Sequence, residues 1–216
     1  MKFDAVLFDC DGVLVDSEPI TNGVLRDMLH ELGWLLSAEE CEAHFLGKSL
    51  KEEIALIARH TGREVGPQWL TAFQERRNAA LRERLTAIPN IHAAVHAIHA
   101  HHGARIACAS GADRFKVEMQ LRQTGLMPYF EGRIFSGYET PRSKPFPDVY
   151  LAAAAALQVS PHRCAVVEDT VTGVTAGVAA GAFVYAYAPR GDGAHLRAAG
   201  ASHLFQDMAD LPDLMR

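Results

Sequence analysis

AVLFDCDGVLVD, residues 5–16, joins a short apolar run to a cluster of acidic residues. The run 5–8 has the unbroken hydrophobicity of a strand that is buried on both faces. Asp9, Asp11 and Asp16 follow it closely, and two like charges about 4 Å apart cost roughly 4 kcal/mol at an effective dielectric constant of about 20. The cluster therefore predicts a cation that offsets the repulsion.

The composition is that of an ordinary globular protein, since 49% of the 216 residues are hydrophobic and 22% are charged. The formal net charge is −5 and no stretch is rich in Lys and Arg, which argues against a nucleic-acid partner. The cysteines lack CxxC spacing, so a reducing cytoplasm is the expected location.

No signal-peptide pattern opens the sequence, and one long uncharged run, 171–188, raises the question of a membrane span. This run consists mostly of Ala, Gly, Thr and Val and ends in an aromatic stretch. It is interpreted as a buried helix followed by a strand, with glycines that permit close helix–sheet packing. No membrane partner is expected.

Apolar runs alternate with helical patterns along most of the chain. The predicted strands are 5–8, 104–110, 132–137, 164–169 and 182–187, and the predicted helices between them are 91–102, 113–124, 147–157 and 171–180. Continuous apolar strands separated by helices indicate a parallel sheet covered on both faces. We predict an α/β fold with a doubly wound parallel sheet, in which ligands bind beyond the carboxyl ends of the strands.

One stretch after the first strand contains no convincing strand pattern. Its amphipathic helical segments are predicted at 19–32, 38–45, 49–60 and 67–84. These helical residues are more than a simple crossover between two strands needs, and they predict a separate helical lid. The expected organisation is a core of 1–16 and 87–216 with an inserted helical domain of 17–86.

Acidic side chains end two of the predicted strands. Asp9 and Asp11 follow the first strand, Gly12 supplies the turn after them, and Glu168 and Asp169 end the fourth. Because side chains alternate along extended chain, Asp9 and Asp11 are expected to face one pocket. Carboxylates gathered at one edge of a sheet suit a hard divalent cation, for which Mg²⁺ is the usual choice beside phosphate.

Groups that bind anions follow the second predicted strand and lie in a later loop. Ser110 and Gly111 offer a hydroxyl and a bare backbone N–H at a strand-to-helix turn, and Lys144 adds a positive charge. Together these groups suit a dianionic phosphoryl group that lies between a carboxylate and a metal.

The sequence resembles the haloacid dehalogenase superfamily. Its DxDGxxxD signature is present as DCDGVLVD (9–16), and Ser110, Lys144 in SKPFPD and the Glu168–Asp169 pair in VVEDT follow in the expected order. The resemblance covers nearly the whole chain. It implies a Rossmann-like core with a small α-helical cap domain inserted after the first strand.

The resemblance also implies roles for the residues that match its motifs. Asp9 corresponds to the nucleophile that forms an aspartyl-phosphate, and Asp11 to the general acid/base. Ser110, Gly111 and Lys144 correspond to the groups that bind the transferring phosphoryl oxygens.

The same resemblance implies a Mg²⁺ site. Asp9, the backbone carbonyl of Asp11 and Asp169 correspond to its ligands. Glu168 is expected either to bind the metal directly or to lie just behind its ligands.

Within the superfamily, the chain is similar to the branch of β-phosphoglucomutase and phosphoglycolate phosphatase. The stretch IFSGYETPRSKPFPD (134–148) and a cap loop of the form FxGxxxxE most resemble sugar-phosphate phosphatases of the 6-phosphogluconate phosphatase kind. This implies hydrolysis of small phosphorylated metabolites, with 6-phosphogluconate a candidate substrate. Candidates for contacting the rest of the substrate, with solvated surface charge as the alternative, are Lys48, Ser49, Lys51, Arg77 and Arg142.

Two other functions stay open. A phosphosugar mutase shares the cap type, but this chain has Thr21, Leu46 and Leu50 where the mutases have a hinge histidine and basic cap-loop residues. An inactive binding protein would normally have lost the nucleophile or a metal carboxylate, and both are present. A monomer and a weak homodimer are both compatible with the sequence.

Overall fold

The computed structural model describes residues 2–45, 50 and 53–216. Their contacts divide the chain into two compact units, one formed by Met1–Asp16 with Thr86–Arg216 and the other by Ser17–Leu85. We call them the core unit and the helical unit.

A parallel sheet forms the centre of the core unit, in the order β3-β2-β1-β4-β5-β6. Its strands are β1 (Ala5–Phe8), β2 (Ile106–Ser110), β3 (Ile134–Ser136), β4 (Cys164–Glu168), β5 (Phe183–Tyr187) and β6 (His203–Phe205). All five predicted strands are confirmed, with bounds that differ by at most two residues at either end. The three-residue edge strand β6 was not predicted.

Helices flank the sheet and make up the helical unit. The latter contains α1 (Glu18–Glu31), α2 (Ala38–Phe45), α3 (Ile54–Thr61) and α4 (Pro67–Arg84). The core unit contains α5 (Ile91–His102), α6 (Arg114–Gln123), α7 (Met127–Phe130), α8 (Asp148–Ala156), α9 (Val171–Ala179), α10 (Ala194–Ala198) and α11 (Leu211–Leu214). These elements confirm the predicted doubly wound α/β fold.

The strand order reverses beside β1. From this central strand the chain runs outward through β2 and β3, and then returns to β4 on the other side. Phe8 pairs with Val167, and the Asp9 N–H donates to the Val167 carbonyl at 2.9 Å. Asp9 and Glu168 therefore leave neighbouring strands side by side at the switch point, where open α/β sheets bind ligands.

The uncharged run 171–188 forms α9 and β5, which confirms its interpretation as a helix followed by a strand. Gly177 of α9 packs against the sheet so closely that a Cβ there would lie 2.9 Å from Val184 and 3.1 Å from Val166. Across the described part of the chain, no helix combines the length and hydropathy that a membrane span requires.

The helical unit has an apolar core of its own. Leu29 and Ile57 are completely buried there, and α1 packs along α4. Trp34 and Trp69 lie against this core, and the Trp34 ring stacks on His60 with centroids 4.1 Å apart.

Candidate active site

A buried lysine joins the two carboxylates at the switch point. Lys144 Nζ donates to Asp9 Oδ1 and to Glu168 Oε1, each at 2.6 Å. The side chains of Lys144, Asp9 and Glu168 are 8%, 9% and 0% exposed. Charges buried this deeply are stable only when they are paired and hydrogen-bonded, and this triad meets that requirement.

Glu168 is held by several further donors. Its Oε1 also accepts from the Tyr150 hydroxyl at 2.7 Å. Its Oε2 accepts from the Asp169 and Thr170 backbone N–H groups at 3.0 and 3.2 Å, and from Thr170 Oγ1 at 3.2 Å. A carboxylate offers about four lone-pair sites, so these donors leave Glu168 little capacity for a cation and fix it as the partner that orients Lys144.

Burial and charge act in opposite directions on the nucleophile candidate. Burial raises the pKa of Asp9 to about 7, Lys144 opposes this rise, and Glu168 and Asp11 add to it. A positive charge near Asp9 in addition to Lys144 would favour the ionised carboxylate.

The other two members of the triad keep their charges. Burial lowers the pKa of Lys144, but the carboxylates of Asp9 and Glu168 outweigh it and hold this pKa well above its ordinary value. Burial raises the pKa of Glu168, but Lys144, Tyr150 and the Thr170 backbone outweigh it and hold this pKa below its usual range.

An oxygen cluster suited to a hard cation lies at the same edge of the sheet. One carboxylate oxygen each from Asp9, Glu168 and Asp169 lies within 4.8 Å of the others. Gly12 has φ +74°, and a Cβ at this position would overlap the Asp169 carboxylate. Because the backbone of Gly12 makes room for Asp169, the carboxylates of Asp9 and Asp169 fit a divalent cation with oxygen ligands, and Glu168 lies beside them.

Asp11 contacts a different set of partners. The strand ends at Phe8, so the alternation expected of extended chain does not continue through Asp11. Its Oδ1 accepts from Lys116 Nζ at 2.7 Å and from Gln120 Nε2 at 2.9 Å, both on α6. Asp11 is thus held by a helix that the sequence motifs do not include.

Ser110 and Gly111 form a tight turn after β2. Ser110 is 1% exposed, and its Oγ accepts from the Ala112 N–H at 3.0 Å. A hydroxyl that accepts a hydrogen bond still has its own hydrogen to donate. Gly137 packs closely against this turn, since a Cβ at Gly137 would lie 3.3 Å from Gly111 Cα.

The candidates for substrate specificity are less well defined. Lys48, Ser49 and Lys51 lie outside the described residues. Arg77 is 8% exposed in α4, so it is not a solvated surface charge, and it donates to Asn78 Oδ1 at 2.9 and 3.0 Å.

Arg142 belongs to the core unit. It is exposed, pairs with Asp148 at 3.0 Å and lies over the Phe146 ring at 4.3 Å. Its role in substrate binding stays a prediction, as do those of the four cap candidates.

Three residues near the site were missed from the sequence: Lys116, Gln120 and Tyr150. A signal was present for the first two, because Lys116 and Gln120 occupy the face of α6 that also carries buried Val117 and Leu121. Tyr150, which is 1% exposed, offers a weaker signal as the one hydroxyl in an Ala-rich helix.

Comparisons with known proteins identify the family of the chain. A family model described as haloacid dehalogenase-like hydrolase matches residues 3–181. The 6-phosphogluconate phosphatase of Escherichia coli is 32% identical over 185 residues, which cover 85% of this chain and 82% of the relative.

Solved structures agree with the fold. A haloacid dehalogenase family hydrolase from Deinococcus radiodurans, with bound phosphate and sodium, has a TM-score of 0.79 at 34% identity, covering 99% of this chain and 95% of that one. A protein from Thermotoga maritima, provisionally named a β-phosphoglucomutase, has a TM-score of 0.78 at 25% identity, covering 98% of this chain and 97% of that one.

The chain therefore belongs to the haloacid dehalogenase-like hydrolases, which confirms the resemblance drawn from its motifs. It is a phosphoric monoester hydrolase of that family.

Proposed function

We propose that this protein hydrolyses small sugar phosphates through an aspartyl-phosphate on Asp9, with Mg²⁺ as cofactor. The observation that carries the proposal is the buried triad of Asp9, Lys144 and Glu168 beside Asp169. A buried carboxylate paired with a fixed lysine at a ligand-binding sheet edge suits nucleophilic attack on phosphorus.

In the first step, an Asp9 carboxylate oxygen forms a bond to phosphorus and the ester P–O bond breaks. The leaving alkoxide takes the proton of the Asp11 carboxylic acid and departs as an alcohol. Ser110, the Gly111 N–H and Lys144 bind the phosphoryl oxygens and stabilise their charge in the transition state.

In the second step, a water oxygen attacks phosphorus and gives a proton to the Asp11 carboxylate. The bond between Asp9 and phosphorus breaks, which releases phosphate and restores both side chains. Asp11 serves as acid in one step and as base in the next, so each catalytic cycle returns it to its starting state.

Asp9, Asp169 and the Asp11 backbone carbonyl are the proposed ligands of Mg²⁺, with Glu168 behind them. When bound, the cation offsets the negative charge of the phosphoryl group and the carboxylates. The donors already bound to Glu168 support its indirect role.

The sugar-phosphate class is supported by the likeness to 6-phosphogluconate phosphatase, and 6-phosphogluconate is the first substrate to test. We further propose that residues 17–86 act as the cap that selects the substrate, with Lys48, Ser49, Lys51 and Arg77 as candidate contacts. The division of the chain at Asp16–Ser17 and Leu85–Thr86 supports this assignment.

The test is release of inorganic phosphate from a panel of sugar and organic-acid phosphates, with and without Mg²⁺. Release that requires Mg²⁺, is lost in Asp9→Asn and is fastest with 6-phosphogluconate or a near relative supports the proposal. An active Asp9→Asn variant, or wild-type inactivity across the panel, would refute it.

A mutase is the second candidate, because the similar Thermotoga maritima structure carries that provisional name. The panel therefore includes β-glucose 1-phosphate with a bisphosphate primer. Formation of glucose 6-phosphate with little free phosphate would identify a mutase. Free phosphate as the main product would support the phosphatase.

A further inference from the structure

The carboxylate of Asp11 is bound by two side chains of α6. Lys116 Nζ lies 2.7 Å and Gln120 Nε2 lies 2.9 Å from the same oxygen, Oδ1. Lys116 and Gln120 are one helical turn apart, so they reach the carboxylate from one face of α6. Because a carboxylate only accepts, the Gln120 amide must turn its NH₂ group toward Asp11.

Both donors are buried on the inner side of the helix. Gln120 is 0% and Lys116 is 6% exposed, which is rare for residues of these types without a specific partner. Gln120 Oε1 in turn accepts from Cys10 Sγ at 3.6 Å. The amide therefore bridges two consecutive residues of the loop that follows β1, and its orientation is fixed on both sides.

The backbone around Asp11 is also fixed. The Gly12 N–H donates to the Val15 carbonyl at 2.9 Å, and the Leu14 and Val15 N–H groups donate to the Cys10 carbonyl at 2.9 and 3.1 Å. The carboxylate thus projects from a hydrogen-bonded loop onto two anchored donors. In this arrangement it raises the pKa of Asp9, so the two carboxylates are within electrostatic reach of each other.

The start of α6 is anchored to the phosphate-binding turn. Asp113 caps the helix by accepting from the Lys116 N–H at 2.9 Å, and Ser110 and Gly111 lie three and two residues before this cap. One short segment, 110–120, therefore carries both the proposed phosphate ligands and the two donors to Asp11.

We propose that Lys116 and Gln120 are positioning residues that hold the Asp11 carboxyl group for proton transfer through Oδ2. Two donors on Oδ1 make this oxygen a poor place for a proton, so the transferable proton belongs on Oδ2. After Asp11 has protonated the leaving group, the Lys116 charge stabilises the carboxylate that remains. This inference rests on the proposed role of Asp11 as acid/base.

The test compares esters that differ in their need for an acid. An alkyl phosphate must receive a proton as it leaves, whereas p-nitrophenolate leaves without one, so only the alkyl ester needs Asp11 in the first step. Hydrolysis of the aspartyl-phosphate needs Asp11 as base with either substrate. We therefore expect Lys116→Met to show different defects with the two esters.

With its best sugar phosphate, Lys116→Met should lose about tenfold to a hundredfold in kcat while KM changes little. With p-nitrophenyl phosphate, it should release a burst of nitrophenolate stoichiometric with enzyme at close to the wild-type rate, followed by slow turnover. Aspartyl-phosphate at Asp9 should accumulate and be detectable by mass spectrometry of the quenched enzyme. Gln120→Met should show the same pattern with smaller losses.

Arg122→Met is the matched control, because Arg122 lies on α6 and pairs with Glu118 at the exposed surface. It should leave both substrates unaffected. Thermal unfolding establishes that each variant is folded, and Gln120→Met provides the same contrast if Lys116→Met does not fold.

The inference would be overturned if the rate of the nitrophenolate burst in Lys116→Met fell by the same factor as kcat with the sugar phosphate. Equal losses would indicate general damage to the site. Unchanged or increased kcat in both variants would also overturn it. If the wild type shows no Asp9-dependent turnover, the proposed function fails and this inference with it. Wild-type turnover with unaffected α6 variants refutes the inference alone.

Discussion

The core unit and the helical unit differ in the side chains that they bury. The core unit buries Lys144 between two carboxylates, with Glu168 0% exposed. In the helical unit, the described core cluster consists of apolar residues. Burying ions is costly unless each is paired, so the difference indicates which unit carries the chemistry. Substitutions in the two units should therefore have different consequences.

The largest effect is expected at Lys144. Lys144→Met leaves Asp9 and Glu168 facing each other without their shared cation. Breaking a buried pair of this kind costs about 3–5 kcal/mol. The loss of a cation fixed at the phosphoryl group should lower kcat/KM by about 10²–10³. Chemical denaturation and steady-state kinetics measure the two effects.

Arg163→Met is its control, because Arg163 pairs with Asp4 near the amino end of β4, away from the strand end that carries Glu168. Both side chains of that pair are about half exposed, so little change is expected in stability or activity. Equal behaviour of the two variants would remove the distinction between buried and exposed charge on which the site assignment depends.

The next effect concerns the space around Glu168. A Cβ at Gly173 would overlap the Glu168 carboxylate, which Lys144, Tyr150 and Thr170 hold in place. Gly173→Ala should therefore cost about 1–3 kcal/mol of stability and reduce activity, because Lys144 moves with its partner. Unfolding and kinetic measurements on the variant check this. Wild-type activity and stability would mean that Glu168 can shift without affecting catalysis.

A smaller effect, which varies continuously with pH, is expected on the affinity for Mg²⁺. The proposed Mg²⁺ would bind the ionised form of Asp9, and burial raises the pKa of Asp9 to about 7. Below that pH a proton competes with the metal, so the apparent Kd for Mg²⁺ should rise about tenfold for each pH unit as the pH falls. Above that pH the apparent Kd should be constant. Glu168 stays ionised and Lys144 stays protonated, since their pKa values are shifted down and up respectively.

Calorimetric titration with Mg²⁺ from about pH 5.5 to about pH 8 measures this dependence. Asp9→Asn removes the competing proton, so any residual binding should vary little with pH. A flat profile in the wild type would show that Asp9 is not the group that links metal binding to protons.

The sequence predicted those parts of the site that end strands. Asp9, Ser110 and Glu168 could be placed because unbroken apolar runs locate the strands, and parallel strands end at one edge. Lys116 and Tyr150 were not placed, because the signal from polar residues within helices is weak and tertiary packing brings these side chains to the site. The strand β6 was missed for a different reason, since three residues with an exposed His203 give no apolar run.

The smallest effect is expected in the helical unit, where the substitution should raise the stability of the chain instead of lowering it. Gly23 lies within α1, and a Cβ at this position would meet nothing within 4 Å. Replacing an interior helical glycine with alanine reduces the entropy lost on folding, so Gly23→Ala should stabilise the chain by about 0.5–1 kcal/mol. The midpoint of thermal unfolding should rise by about 2 °C, with kcat/KM unchanged. A glycine-to-alanine substitution would then lower stability beside Glu168, in Gly173→Ala, and raise stability in the helical unit, in Gly23→Ala. A loss of activity in Gly23→Ala would contradict this contrast and show that α1 takes part in substrate turnover as well as in folding.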